Sequence, residues 1–201
     1  MNFIKKNLKT FSVLTFAVFA VAMTNMVATS WDVDKSHSAI NFEVTHFFTP
    51  VNGQFNDYTA QVNFDPNNLE ESMIDVQIMV NSIDTKNEKR DGHLKSADFF
   101  NASEYPMMTF KSTEIRSVGN NKFVAVGDLQ IKDVSREIEL PFTLLGVQDN
   151  PMAEGKLVAG ITSEMMIDRT EFDVGVGDWA SDAVIGDEVT VNLNLELHTE
   201  K

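Results

Sequence analysis

An antiparallel all-β domain carrying a single helix is the fold class this sequence predicts, and three observations predict it. Eight stretches alternate apolar with polar residues at period two, the mark of half-buried strands. Short polar turns rich in Asn, Asp, Gly and Pro separate most of these stretches. One segment, residues 85–94, breaks the alternation and reads as helix. Eight strands with one wet face each can close into a barrel or stack as a two-sheet sandwich, and periodicity does not separate the two.

Residues 1–30 read as a leader rather than as part of the fold. Lys5, Lys6 and Lys9 precede an apolar run over residues 11–23 that is short for a bilayer span. Ala28 and Ser30 are the small residues at −3 and −1 of a cut before Trp31. A secretory signal peptide is therefore expected over 1–30, with an uncleaved anchor as the alternative, and one domain over 31–201. The chain has no cysteine, which excludes a lipoprotein anchor and a disulfide framework. Cleavage would remove three of 16 basic residues and none of the 30 acidic ones, leaving a net charge of −17. Such a surface repels nucleic acid and anionic headgroups.

The strands follow in order. Ile40, Phe42, Val44 and His46 alternate with Asn41, Glu43 and Thr45. Tyr58, Ala60, Val62 and Phe64 repeat the pattern before the turn Asp65-Pro66-Asn67-Asn68, and Ile74, Val76, Ile78 and Val80 form the third run. Beyond the helix, residues 107–115 and 122–132 flank Gly119-Asn120-Asn121, a hairpin signal. Ile138, Leu140, Phe142 and Leu144 make the sixth strand, and residues 156–168 the seventh. The eighth has Val189, Val191, Leu193, Leu195 and Leu197 on one face. Its register predicts Val189, Leu193 and Leu197 inside, with Asn192, Asn194 and Glu196 in water.

Thr85 and Glu88 read as a capping box for a helix over residues 86–94. Arg90, His93 and Leu94 share one of its faces, Phe99 and Phe100 return the chain to an apolar surface, and Pro106 stops it. Lys86, Lys89, Arg90 and Lys95 make this a positive spot in an acidic chain. Arg90 and His93 could donate to a ligand headgroup at a barrel mouth. The alternative is a plug, with Arg90 tied to a nearby acid and the lysines solvated.

Small residues stand on inward faces: Ala125 and Gly127 between Phe123 and Leu129, and Ala159 between Leu157 and Ile161. They leave room for a ligand, although Gly127 also suits a bulge or a tight corner. Asp32, Asp34, His37 and His46 do not read as a metal site, because 37 and 46 differ in strand parity. Gly175 to Ala180 matches a dinucleotide fingerprint in letters only. No nucleophile elbow and no cysteine nucleophile is present.

The central stretch, S-I-D-T-x-N-x-x-R-D-x-H-L-x-S-x-D-F-F followed by Y-P-x-x-T-F-K-S, resembles the YceI-like family. So do residues 34–46, V-N-G-Q-F at 51–55, N-F-D-P at 63–66, G-D-L-Q-I-K at 127–132 and D-R-T-E-F at 168–172. Asp133 and Phe172-Asp173 depart from the family pattern, in turns. The resemblance implies an eight-stranded antiparallel lipocalin-like barrel, with one short helix between strands 3 and 4, that binds an isoprenoid lipid in the periplasm. A quinone or polyprenyl phosphate is the ligand expected, and the net charge favours a neutral headgroup. Arg90, His93 and Arg169 are the candidate headgroup residues. Phe42, Val44, Val76, Ile78, Phe110, Ala125, Gly127, Leu129, Leu140, Phe142 and Leu193 are the candidates for the tail. No catalytic residue, cofactor or metal is expected, and no membrane anchor after cleavage; a homodimer is left open. Two alternatives stand beside this: an envelope stress protein acting through a protein partner, and an enzyme modifying a prenyl lipid with His93 as acid or base.

Overall fold

The computed structural model describes residues 28–201, so the expected leader lies outside the described residues except for its last three. Eleven strand segments form one sheet that closes on itself. β1 (Ser30–Val33) and β2 (Ala39–His46) are two halves of one stave, broken by the turn at 34–38. β3 (Thr49–Phe55) and β4 (Tyr58–Asn63) form the second, β5 (Met73–Met79) and β6 (Ile83–Asp84) the third. The helix α1 (Glu88–Leu94) follows. Then come five unbroken staves: β7 (Met107–Gly119), β8 (Lys122–Ile131), β9 (Val134–Asp149), β10 (Lys156–Asp168) and β11 (Ile185–Glu200). Each stave pairs antiparallel with the next, and β11 pairs with both β2 and β1. The result is a closed eight-stave barrel, with its helix between the third and fourth staves as expected; the sandwich is excluded.

β3 has no counterpart among the strands expected from periodicity. Pro50 and Gly53 interrupt any alternation of bulky residues there. Pairing supplies what local propensity lacks: β3 is held by β2 over seven residue pairs and by β6 at its end. Gly53 lies under the Phe42 ring, which leaves no space for a β-carbon.

The two ends of the barrel differ. At one end Phe64, Phe123 and Phe142 pack with ring centroids 5.0–5.4 Å apart. Trp31 is buried beside them and donates from Nε1 to the Phe64 carbonyl at 2.9 Å, anchoring the first strand. At the other end stand α1, the β2–β3 turn and the long segment between β10 and β11. Phe47 and Phe48 lie on that β2–β3 turn, both exposed. No helix among the described residues is long and apolar enough to cross a membrane.

Gly127 does not leave room for a ligand. It faces the bulge where β7 slips register between Ser112 and Glu114. A β-carbon at 127 would run into the Lys111 carbonyl and the Ser112 backbone. Ser112 Oγ repairs the ladder by accepting from Ile74 N at 2.8 Å. The glycine thus serves the close approach of two strands. Gly127→Ala should destabilise the barrel by about 1–3 kcal/mol, the range for overpacking. The check is a lower urea midpoint with an unchanged m-value; an unmoved midpoint would show that the bulge relaxes freely.

Candidate functional site

Above the aromatic floor the barrel encloses a cavity of about 210 Å³. Alternation along the staves explains its lining, since every second side chain of β2, β5, β7, β8, β9 and β11 points inward. Of the candidate tail residues, Phe42, Val44, Val76, Ile78, Phe110, Leu129, Leu140 and Leu193 line it. Ala125 and Phe142 are packed into the buried core, and with Gly127 they are not part of the cavity wall. Ile138, Met165 and Ile167 also line it. The same period-two reading of β9 and β10 would have found them. In β11, Val189, Val191, Leu193 and Leu195 line the cavity and Leu197 is buried below, so the expected register holds.

Among the lining residues Arg169 is the one that bears a charge. The phenol of Tyr58 is the other titratable group, and burial pushes its pKa up. Its hydroxyl is buried without a hydrogen-bond partner. Ser38, nearby, directs its Oγ to Glu196, accepting from Glu196 N at 2.9 Å.

The lid over the mouth has two parts. Leu94, Phe99 and Phe100 reach the cavity from α1 and the turn after it, and Val174 reaches it from the β10–β11 segment. The helix begins later than the capping box predicts. Lys86 takes a left-handed φ of 61°, so the chain enters the helix at Asn87, whose side chain accepts from Arg90 N at 3.1 Å. Thr85 is instead a buried knot. Its hydroxyl donates to Asp91 Oδ1 and accepts from Arg90 Nε at 2.7 Å, while its carbonyl takes Arg90 Nη2 at 2.7 Å. Arg90 therefore closes the loop before its own helix, and it does not line the cavity. His93 Nε2 lies 3.0 Å from Asp98 Oδ2, with its ring edge-on to Phe99 and Trp179 at 4.9 and 4.7 Å. It also stands outside the cavity wall, joining the two parts of the lid.

Arg169 sits where β10 ends and is 6 % exposed. Nε donates to the Gly186 carbonyl at 3.0 Å. Nη1 donates to the carbonyls of Val174, at 2.8 Å, and Gly175. Nη2 reaches the carbonyls of Trp179 and Ile185 and Asp187 Oδ1, each at 3.0 Å. A guanidinium has five N–H donors, and six acceptors surround them, so none is left for a ligand. The three candidate headgroup residues do not converge on one point. Arg90 and His93 belong to α1, and Arg169 is enclosed by the β10–β11 segment.

Removing the charge should uncover those carbonyls. Arg169→Met is expected to cost about 3–5 kcal/mol, as for a broken buried pair. Faster proteolytic cleavage within residues 174–185 should accompany the lower urea midpoint. A variant as stable and as resistant as the parent would refute the anchoring role.

The model of the YceI-like domain matches residues 31–197. Protein YceI of Escherichia coli is 33% identical over 164 residues, covering 80% of this chain and 84% of the relative. The crystal structure of BcnA from Burkholderia cenocepacia superposes with a TM-score of 0.74 at 28% identity, covering 82% of this chain and 99% of that one. A polyisoprenoid binding domain from Saccharophagus degradans shares the fold, with a TM-score of 0.60 at 15% identity over 85% of this chain and 98% of that one. The chain belongs to the YceI-like family.

Proposed function

We propose that this chain binds an isoprenoid lipid, with the tail in the barrel and the headgroup towards the mouth, and that it does so in the periplasm after loss of residues 1–30. The observation that carries the reading is the cavity of about 210 Å³, walled almost wholly by apolar side chains. Kept empty and dry, it would cost about 5 kcal/mol at ~24 cal/mol per Å³. That equals the lower end of a domain's whole stability. A hydrocarbon tail removes the cost and matches the lining. The polyisoprenoid binding of the Saccharophagus degradans domain supports the choice of tail.

A neutral headgroup such as a quinone fits better than a polyprenyl phosphate. A phosphate needs cationic donors with free N–H groups. Arg169 has none left, and Arg90 has committed Nε and Nη2 to Thr85. Glu43, Asp182, Asp187 and Glu188 line a polar recess beside the β10–β11 segment and add repulsion. Binding rather than catalysis is favoured because the described lining holds no His, Asp, Glu, Lys or Cys.

Mass spectrometry of organic extracts from purified protein should find about one prenyl lipid per chain. Val76→Trp, which fills the cavity from its wall, should abolish that lipid while the barrel stays folded. Repeated extraction without lipid, joined to no uptake of added quinone, would end the proposal. Arg90→Ala tests the division of labour in the lid. Losing its charged hydrogen bonds should lower stability by about 1.5–3 kcal/mol, with lipid affinity per folded molecule unchanged. A tenfold weaker affinity at unchanged stability would return Arg90 to the headgroup.

A further inference from the structure

The turn that breaks the first stave is bonded to Glu196 of β11, at the seam where the barrel closes. Here β1 pairs with β11 at Asp32↔His198 and Val33↔Leu197. Leu197 is buried, so Glu196 and His198 on either side of it face outward. Asp34 N donates to the Glu196 carbonyl at 2.9 Å, fixing the turn against the strand. Asp34 Oδ1 accepts from Ser36 N at 2.8 Å, which directs Oδ2 to His37 Nδ1 at 2.9 Å.

We propose that Asp34, His37, Glu196 and His198 form a binding site for a zinc-class divalent cation on the outside of the closure seam. The donor atoms of Asp34, Glu196 and His198 all lie within 4.8 Å of one another. His198 Nε2 is 2.9 Å from Glu196 Oε1, and His37 Nδ1 is 3.8 Å from that same oxygen. Tetrahedral zinc with bonds of about 2.0–2.2 Å has ligand–ligand edges of about 3.3–3.6 Å. Asp34, Glu196 and His198 make the compact group, and His37 would turn towards them to complete the shell. Two imidazoles with two carboxylates suit zinc rather than calcium or magnesium, which take oxygen alone. With both imidazoles neutral, the two carboxylates supply two negative charges, equal and opposite to the cation.

Such an ion would clip the first strand to the last. It would reinforce a seam at which β1 is held by two residue pairs to β11 and two to β4. This site lies outside the cavity and does not depend on the lipid. Zinc chloride titrated calorimetrically into purified protein without a histidine tag, at pH 7.5, is the test. One ion per chain should bind, with affinity at least tenfold weaker in both His198→Gln and Asp34→Asn. Zinc at a hundredfold excess over Kd should raise the melting temperature by about 5–11 °C in the parent. His198→Gln should melt like the metal-free parent, which shows that lost binding is not lost folding. Millimolar magnesium should not compete. Absent binding, or several weak sites unaffected by His198→Gln, would overturn the proposal.

Discussion

The lid of this barrel depends on one buried cation. A guanidinium removed from water is tolerated only when its donors are met, and Arg169 meets them with the backbone of the very segment it anchors. Carbonyls from Val174 to Gly186 would otherwise point at an apolar cavity. Cation and segment therefore stabilise each other, and neither could keep its place alone. The hold extends outward. Asp168, kept well ionised by the Thr170 hydroxyl, starts the short helical turn that carries Arg169. That turn ends at Asp173 in a left-handed conformation, φ 55°. Lys132 from the β8–β9 turn then donates to the Asp173 carbonyl at 2.6 Å.

From this base the lid reaches α1 through one aromatic residue. The Trp179 carbonyl is on Arg169, and its ring meets His93 and Phe99. The polar side chains of the mouth thus bind each other rather than face inward. On the proposed reading, selection of a lipid rests on the length and shape of the apolar space. The same inward alternation makes a packed floor at one end and a cavity at the other. What differs is side-chain size: three phenylalanines share a layer in the floor, while branched aliphatics dominate the wall above.

Period two made most of this legible. Eight staves, the helix between the third and fourth, and the register of β11 all follow from residues that alternate. What local pattern does not encode was missed for identifiable reasons. β3 exists because its neighbours pair with it, although Pro50 and Gly53 argue against a strand. The helix start depends on a positive φ at Lys86, which no sequence rule demands of a lysine. Ala125 and Gly127 are small for packing and for a bulge, an ambiguity that size alone does not resolve. Arg169 was marked by its motif, but its saturation by carbonyls depends on how the 16-residue segment between β10 and β11 folds back. The seam cluster was invisible for a different reason: Asp34 and His37 meet Glu196 and His198 only when the chain closes on itself.

That closure puts two unlike environments on one strand. Along β11 the odd positions from 189 to 195 face the apolar cavity, and Leu197 is buried below it. Between and beyond them, Glu196 and His198 turn their side chains to the outer seam. A slip of one residue would place a carboxylate and an imidazole in the core and leucines in water. Both environments thus enforce the same register from opposite faces. The inner face does so by burying Leu197, the outer by the bonds from Asp34 and Ser38 to the Glu196 backbone. Those bonds are made by the turn that interrupts the first stave, so the break between β1 and β2 is what locks the last strand to the first.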